Sequence, residues 1–406
     1  MMRTVKHFSL HRVASPAAAG RSTSPAPAGR STSPAAPAGV TELRVVSDVE
    51  AGVLPVIQIE EAVIQGYARQ GHWPHRWVTL FVLQDLQPLI RQLTPTPSLP
   101  PVRPFVPPGR GTPARTGAAI PPGRDGLLGG GRQAGGPALP PGGAAALDHR
   151  PVVNVYDLAD LDGCHVFVNQ QAMLKEGYWD DPLAVRGLLA HEHAHPLAEN
   201  QTTQASRQLR VALTLDAPAS GAGLGDRQGK VQRLLTILAD KLAVYAPREV
   251  FANELTIRSG FGDALFHLDR RSVAAAVRSV AGRDELTRQL RQQVTQGRLT
   301  PAASSLLQLI GDLRGYLDLA LEIAAFYRSG QASEARQLEA PLETEIFPHL
   351  EPQVSGAYSA LREHYLSLRA DLAPQTLKAW SEGALGILAN ALAEKGLTLQ
   401  YHLEMA

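Results

Sequence analysis

The chain has 406 residues, of which 44% are hydrophobic, enough for two or three domains with a buried core. Its 39 basic and 38 acidic residues give a formal net charge of +1. This balance argues against a dedicated nucleic-acid-binding protein, because such proteins usually have a strong basic excess. No apolar run in the sequence approaches the roughly 18 residues that cross a membrane. We therefore expect neither a nucleic-acid partner nor a membrane span.

Cys164 is the single cysteine of the sequence. An intrachain disulfide cannot form, and the cysteine count also predicts that no cysteine-based metal cluster is present. Cys164 is expected to be a small hydrophobic residue in a buried strand. A chain without disulfides suits a reducing compartment, and the N-terminus has no apolar signal-peptide region. These observations predict a cytoplasmic protein.

Two segments of the chain have compositions that do not predict a packed core. Residues 1–41 are of low complexity, and the sequence AGRSTSP occurs at 19–25 and again at 28–34. Such a segment is predicted to be a disordered tail. Residues 94–150 are rich in proline and glycine and are predicted to be a flexible insertion.

Elsewhere the pattern predicts strands first and helices later. Runs of β-branched and aromatic residues indicate strands, and Glu60–Arg69 between the first two is predicted to be a helix. Asp181 and Pro182 provide an acidic N-cap and a first-turn proline for a helix that runs towards His195. From about Thr202 onwards the sequence predicts helices almost throughout. The predicted strands are Leu54–Ile59, Trp77–Leu83, Val152–Tyr156 and His165–Asn169.

The candidate functional residues lie at positions 191–195, with the sequence His-Glu-His-Ala-His. Four residues are about one helical turn, so His191 and His195 project from one face and their nitrogens can bind one zinc ion. Glu192 is rotated from the first ligand by about 100°, so it reaches a metal-bound water and can act as general base. His193 points away from the pair. A histidine-rich helix without metal, or a structural zinc site, is the alternative interpretation.

This segment resembles the zincin metallopeptidases, which share a helix with two histidine ligands and a glutamate base. The metzincin extension is absent, because Ala198 and Gln201 occupy its glycine and histidine positions. Residues 249–253, Glu-Val-Phe-Ala-Asn, look like the E-x-x-A-N segment of ImmA/IrrE-type gluzincins. The resemblance implies that Glu249 is the third ligand and that each chain binds one zinc ion.

Glu254 remains the alternative third ligand on the helix that Pro247 opens. It lies about 140° around the helix axis from Glu249, so both carboxylates cannot face one metal. Asn253 lies one turn after Glu249, where its amide could orient the carboxylate or a backbone group.

Pro196 directly follows the second histidine and predicts that the helix kinks or ends at His195. Glu199 would share the ligand face if the helix continued. After a kink, we expect Glu199 to contact only the ligand side chains and not to bind the metal itself.

A zinc peptidase also needs a strand that aligns its substrate. An exposed strand edge can bind an extended peptide through main-chain hydrogen bonds. The strand before the histidine helix is the predicted edge, formed by His165, Val166, Phe167, Val168 and Asn169.

Together these features predict an α+β fold. A zincin-like catalytic domain with a small mixed sheet is expected over residues 42–260, interrupted by the insertion, and an all-α region over 261–406. The predicted function is a zinc metallopeptidase that cleaves a protein or peptide substrate, with Glu192 as general base. Two alternatives remain: a non-catalytic helical regulatory or interaction protein with a structural or degenerate metal site, and a zinc hydrolase of other amides or esters. The sequence does not determine the oligomeric state.

Overall fold

A computed structural model describes residues 7–14, 40–86, 150–216, 224 and 227–405 of the chain. The N-terminal part contains a mixed five-stranded sheet and the rest is mostly helical, which confirms the α+β class. The strands are β1 (His7–Ala14), β2 (Val40–Ser47), β3 (Trp77–Leu83), β4 (Val152–Tyr156) and β5 (Gly163–Asn169). Their spatial order is β1-β2-β3-β5-β4, with β2, β3 and β5 parallel and β1 and β4 antiparallel to their neighbours.

Helix α1 (Val53–Arg69) connects the parallel strands β2 and β3. The strand predicted at Leu54–Ile59 is wrong, because these residues form the first two turns of α1. Apolar residues recur every three or four positions, which places them on one helix face that packs against the sheet. The members of this buried face are Val53, Val56, Ile57, Val63, Ile64 and Tyr67.

Strand β1 corrects the prediction of a disordered tail over residues 1–41. Residues 7–14 pair antiparallel with the whole of β2, from His7 opposite Ser47 to Ala14 opposite Val40. The repeated segment at 19–34 lies outside the described residues. The same holds for the predicted insertion, of which only Arg150 is described.

The helical part begins with α2 (Gln170–Lys175) and α3 (Pro182–Leu197), and α3 contains the histidine motif. Two π-helical turns, Asp240–Tyr245 and Ile257–Phe261, flank the helix that contains Glu249. Further short turns lie at Leu342–Ile346 and Phe347–His349. The remaining helices are α4 (Gln201–Ser206), α5 (Gln228–Ala239), α6 (Ala246–Thr256), α7 (Gly262–Thr295), α8 (Pro301–Tyr316), α9 (Leu319–Arg328), α10 (Ala332–Pro341), α11 (Pro352–Leu366) and α12 (Pro374–Ala393).

Besides β1 and β2, two further strands were not predicted. β6 (Leu209–Asp216) and β7 (Thr398–Met405) pair antiparallel along their whole length. The prediction of an all-α region over 261–406 is therefore wrong at its end. The partners are almost 200 positions apart in the sequence, so neither strand has a local signal for its pairing.

Helix α3 lies between two hydrophobic cores. Val185, Leu189 and Ala194 pack with α1 and the five-stranded sheet, whereas Ala184 packs with the large helical core. The helical core contains residues on both sides of position 260, from Ala205 to Leu403. The motif helix is thus held by both parts of the fold. None of the described helices is both long and apolar enough to cross a membrane.

The contact between α3 and α7 depends on Gly187. A Cβ atom at this position would lie 2.8 Å from the carbonyl oxygen of Ala264 and 2.6 Å from Cδ1 of Leu268. Because the backbone of α7 cannot yield as a side chain can, we expect Gly187→Ala to lower the free energy of unfolding by about 1–3 kcal/mol. Denaturant unfolding measures this change.

Gly356 in α11 is the matched control, since a Cβ atom there would meet no atom within 4 Å. Gly356→Ala is expected to stabilise the protein by about 0.5–1 kcal/mol, because alanine loses less backbone entropy in a helix. Equal effects of the two substitutions would contradict close packing at Gly187.

Candidate metal centre

The start of α3 is fixed as the sequence predicts. The side chain of Asp181 accepts a hydrogen bond from the backbone N–H of Ala184 at 3.1 Å, and Pro182 occupies the first turn. Asp181 Oδ2 also lies 2.7 Å from Nε2 of His267 and accepts a hydrogen bond from Arg271 at 2.7 Å. Both partners belong to α7, so the N-terminus of the motif helix is anchored to the helical core.

His191 and His195 project from the same face of α3 into a cavity of about 820 Å³. Their ring centroids are 4.7 Å apart and the ring planes are inclined at 80°. The helix continues past Pro196 to Leu197, so the prediction that it ends at His195 is wrong. Four-residue spacing therefore places both imidazoles as the sequence predicts, despite Pro196.

Pro196 has a different consequence, which concerns Glu192. A proline has no N–H to donate to the carbonyl four residues earlier, and that carbonyl belongs to Glu192. The side-chain amide of Asn154 in β4 donates to this carbonyl at 3.3 Å. The backbone N–H of Asn154 donates to Oε2 of Glu192 at 3.2 Å. One residue of β4 thus holds both the backbone and the carboxylate of the predicted base.

Glu249 in α6 faces the two histidines. Its Oε2 lies 3.3 Å from Nε2 of His191 and 3.8 Å from Nε2 of His195. One ligand atom from each of the three residues lies within 4.8 Å of the other two, a group that could hold a metal ion. Glu192 lines the same cavity. The three predicted ligands and the predicted base are therefore brought together.

Glu254, the alternative third ligand, has other partners. Its carboxylate accepts two hydrogen bonds from Arg328, at 2.9 and 3.0 Å, and lies 2.6 Å from Arg258. Oδ1 of Asn253 and Nδ1 of His191 are both buried without a hydrogen-bond partner among the described residues. The orienting role of the Asn253 amide therefore stays a prediction.

Burial and neighbouring charges shift the pKa values of the three proposed ligands in different directions. Burial lowers the pKa of His191, but the hydrogen bond and negative charge of Glu249 outweigh it, so its pKa is raised. Burial lowers the pKa of His195 to about 3, against the attraction of Glu249. Burial raises the pKa of Glu249, yet the charges and hydrogen bonding of the two histidines lower it well below its usual range.

Glu199 does not contact the ligands. Its carboxylate accepts hydrogen bonds from Arg207, at 3.1 and 3.4 Å, and Arg207 also donates to the hydroxyl of Tyr156 at 3.4 Å. Arg207 and Tyr156 line the cavity. Glu199 therefore positions a cationic side chain in the cavity wall instead of a metal ligand.

The predicted substrate edge is wrong. Strand β5, which contains His165–Asn169, is paired with β3 on one side and with β4 on the other. The outermost described strand beside the cavity is β4. Because Asn154 donates its N–H to Glu192 and not to β5, the outer edge of β4 runs along the site.

A second group of possible ligands lies on the opposite side of α3. His75, Cys164 and His193 are buried, and their ligand atoms also lie within 4.8 Å of one another. Burial and the proximity of His193 lower the pKa of His75 to about 4, and burial raises the pKa of the Cys164 thiol. A single cysteine excludes a cluster of cysteines, but the expectation that Cys164 is only a hydrophobic residue overlooked a mixed group. No local pattern reveals it, since its members are far apart in the sequence.

Comparisons of the chain with protein-family models, curated proteins and solved structures gave no match. The geometry of the site therefore provides the basis for assigning a function.

Proposed function

We propose that the protein is a zinc metallopeptidase of the gluzincin type. The main support is the convergence of His191, His195 and Glu249 on a cavity that Glu192 also lines. Two nitrogens and one carboxylate are a donor set that catalytic zinc sites use, with the fourth position left for water. The predicted resemblance to zincins assigns the same roles to these residues.

Zinc bound at this centre would act as a Lewis acid and lower the pKa of its water to near neutrality. Glu192 then accepts the proton of the attacking water and delivers it to the leaving nitrogen of the substrate. The N–H of Asn154 holds one carboxylate oxygen of Glu192 at 3.2 Å, so the other oxygen is available for the proton. Burial raises the pKa of Glu192, against the attraction of His191, which makes the carboxylate a stronger base.

The outer edge of β4 is the proposed binding site for an extended peptide. Residues of an antiparallel strand direct their backbone groups alternately to the two sides. Since Asn154 directs its N–H away from β5, Val152 and Tyr156 direct their backbone groups to the same side, where no other described strand pairs with β4. A substrate strand there would run past Glu192, and main-chain pairing would supply affinity.

A peptide-library assay with the full-length chain tests this function. We expect cleavage of a mixed peptide library that a zinc chelator abolishes and added zinc restores. The His191→Ala/His195→Ala double variant should show no cleavage and contain about one zinc ion less per chain than the native protein, measured by elemental mass spectrometry. His402→Ala, at an exposed histidine outside the cavity, is the control and should behave like the native protein.

Three other results would contradict the proposal. Cleavage that survives chelation would exclude a metal mechanism. Hydrolysis of simple esters or non-peptide amides without peptide cleavage would favour the alternative hydrolase. Metal binding without any hydrolysis would favour the non-catalytic regulatory protein.

A further inference from the structure

The side of α3 opposite the proposed catalytic centre contains a buried polar group that peptide hydrolysis does not use. His75 precedes β3, Cys164 lies in β5 and His193 lies in α3 between the two proposed ligands. The three residues are only 3%, 1% and 0% exposed, and their ligand atoms lie within 4.8 Å of one another. Three separate segments of the chain therefore bring two imidazoles and a thiol together away from solvent.

Hydrogen bonds determine which ring nitrogens carry protons. Nδ1 of His75 lies 2.6 Å from the carbonyl oxygen of Leu161, which can only accept, so this nitrogen is the donor. Nε2 of His193 lies 2.7 Å from Oε1 of Glu60, an oxygen that accepts its N–H. The lone pairs are consequently on Nε2 of His75 and Nδ1 of His193. Both of these nitrogens are buried without a hydrogen-bond partner.

This arrangement is typical of histidines that bind a metal. Such histidines donate their second ring N–H to a carboxylate or a backbone carbonyl, which fixes the tautomer and the ring orientation. Glu60 does this for His193, and Leu161 does it for His75. Without an ion, two buried nitrogens beside a buried thiol would lack any partner, although buried polar groups in folded proteins nearly always have one.

We propose that His75, Cys164 and His193 bind a second zinc ion, with Glu60 as a positioning residue behind His193. Two nitrogens and one thiolate form a donor set that suits zinc. The thiol proton leaves to solvent when the sulfur binds the ion. The divalent charge then balances the thiolate and the buried carboxylate of Glu60, so no net charge is buried.

The proposed role of this ion is structural. The group joins α3 to the loop before β3 and to strand β5, and Glu60 joins it to α1. The rings of His75 and His193 both lie at 4.9 Å from that of Trp73, which covers the group. Metal binding at buried ligands from separate segments contributes directly to folding stability. This inference concerns a different set of ligands and does not depend on peptidase activity.

Metal content of the purified full-length chain provides the first test. We expect about two zinc ions per chain in the native protein, about one in Cys164→Ser, and about one in the His191→Ala/His195→Ala variant. His165→Gln is the control, because His165 neighbours Cys164 but faces the other side of β5, where it contacts Trp77 and Phe81. This control should keep both ions. Equal zinc in folded Cys164→Ser and native protein would overturn the proposal.

Cobalt substitution provides a test that needs no variant. A thiolate bound to Co²⁺ gives a near-ultraviolet charge-transfer absorption, and Cys164 is the only cysteine in the chain. We expect this absorption in the cobalt-loaded native protein and in the His191→Ala/His195→Ala variant. Its absence from the cobalt-loaded native protein would overturn the second site, even if Cys164→Ser failed to fold. Peptide cleavage measured on the same sample separates this failure from a failure of the proposed peptidase.

Discussion

Glu192→Gln is expected to lower the rate of peptide hydrolysis at least about a hundredfold, because a positioned general base contributes on the order of 10²–10⁴. Glutamine has the same shape and retains an oxygen that can accept the N–H of Asn154, which now donates to Glu192. The fold and the metal content should therefore stay unchanged. Initial rates with one cleaved peptide, together with elemental mass spectrometry, measure both effects.

Glu254→Gln is the matched control for this experiment. Glu254 is a buried glutamate near the site, but its partners are Arg328 and Arg258 rather than the proposed ligands. Its replacement should leave the hydrolysis rate within a few-fold of the native value. A Glu192→Gln protein with near-normal turnover would remove Glu192 from the mechanism.

Glu249→Gln is expected to weaken zinc binding at the catalytic centre by more than the roughly 10–100-fold that follows the loss of an outer hydrogen-bond partner. The substitution leaves His191 and His195 as the two remaining strong zinc ligands, whereas catalytic zinc sites use three protein ligands. It also removes the negative charge that lies 3.3 Å from His191. Competition with a chelator of known affinity measures the change.

The same Glu254→Gln variant should bind zinc as the native protein does. Its expected effect is on stability, since it weakens the ion pair with Arg328, and a thermal melt measures this effect. If Glu254→Gln weakened zinc binding and Glu249→Gln did not, the role of third ligand would pass to Glu254. If neither substitution changed zinc affinity, the gluzincin proposal would fail. The chelator competition is repeated with both variants in a Cys164→Ser background, so that zinc at the proposed second site does not contribute to the measured affinity.

The parts of the site that follow from short-range spacing were predicted from the sequence. His191 and His195 share a face because they are four residues apart on one helix. The side chain of Asp181 caps that helix by accepting a hydrogen bond from the backbone N–H of Ala184. The position of Glu249 near these histidines depends on how α6 packs against α3, so helical spacing alone does not predict it. The resemblance to the E-x-x-A-N segment was needed for that prediction. Helical period alone left Glu254 open as the alternative ligand. The structure distinguishes the two glutamates, because Glu249 faces the histidines whereas Glu254 pairs with Arg328 and Arg258.

The parts that depend on distant pairing were not predicted. The sequence contains no local signal that β6 pairs with β7, or that β5 lies inside the sheet rather than at its edge. The β-branched run in α1 was misassigned because its strand-forming residues outweighed their helical spacing. Cys164 likewise gained a possible function only when the fold placed His75 and His193 beside it.

Pro196 has different consequences for the stability of α3 and for the proposed catalytic centre. An alanine there would return an N–H to the carbonyl of Glu192 and remove a residue that is unfavourable within a helix. Selection for thermal stability alone would therefore favour the replacement. The restored bond would use the same acceptor as the amide of Asn154. In the proposed peptidase, Pro196 would therefore weaken the helix end and leave the carbonyl of Glu192 to the strand beside it.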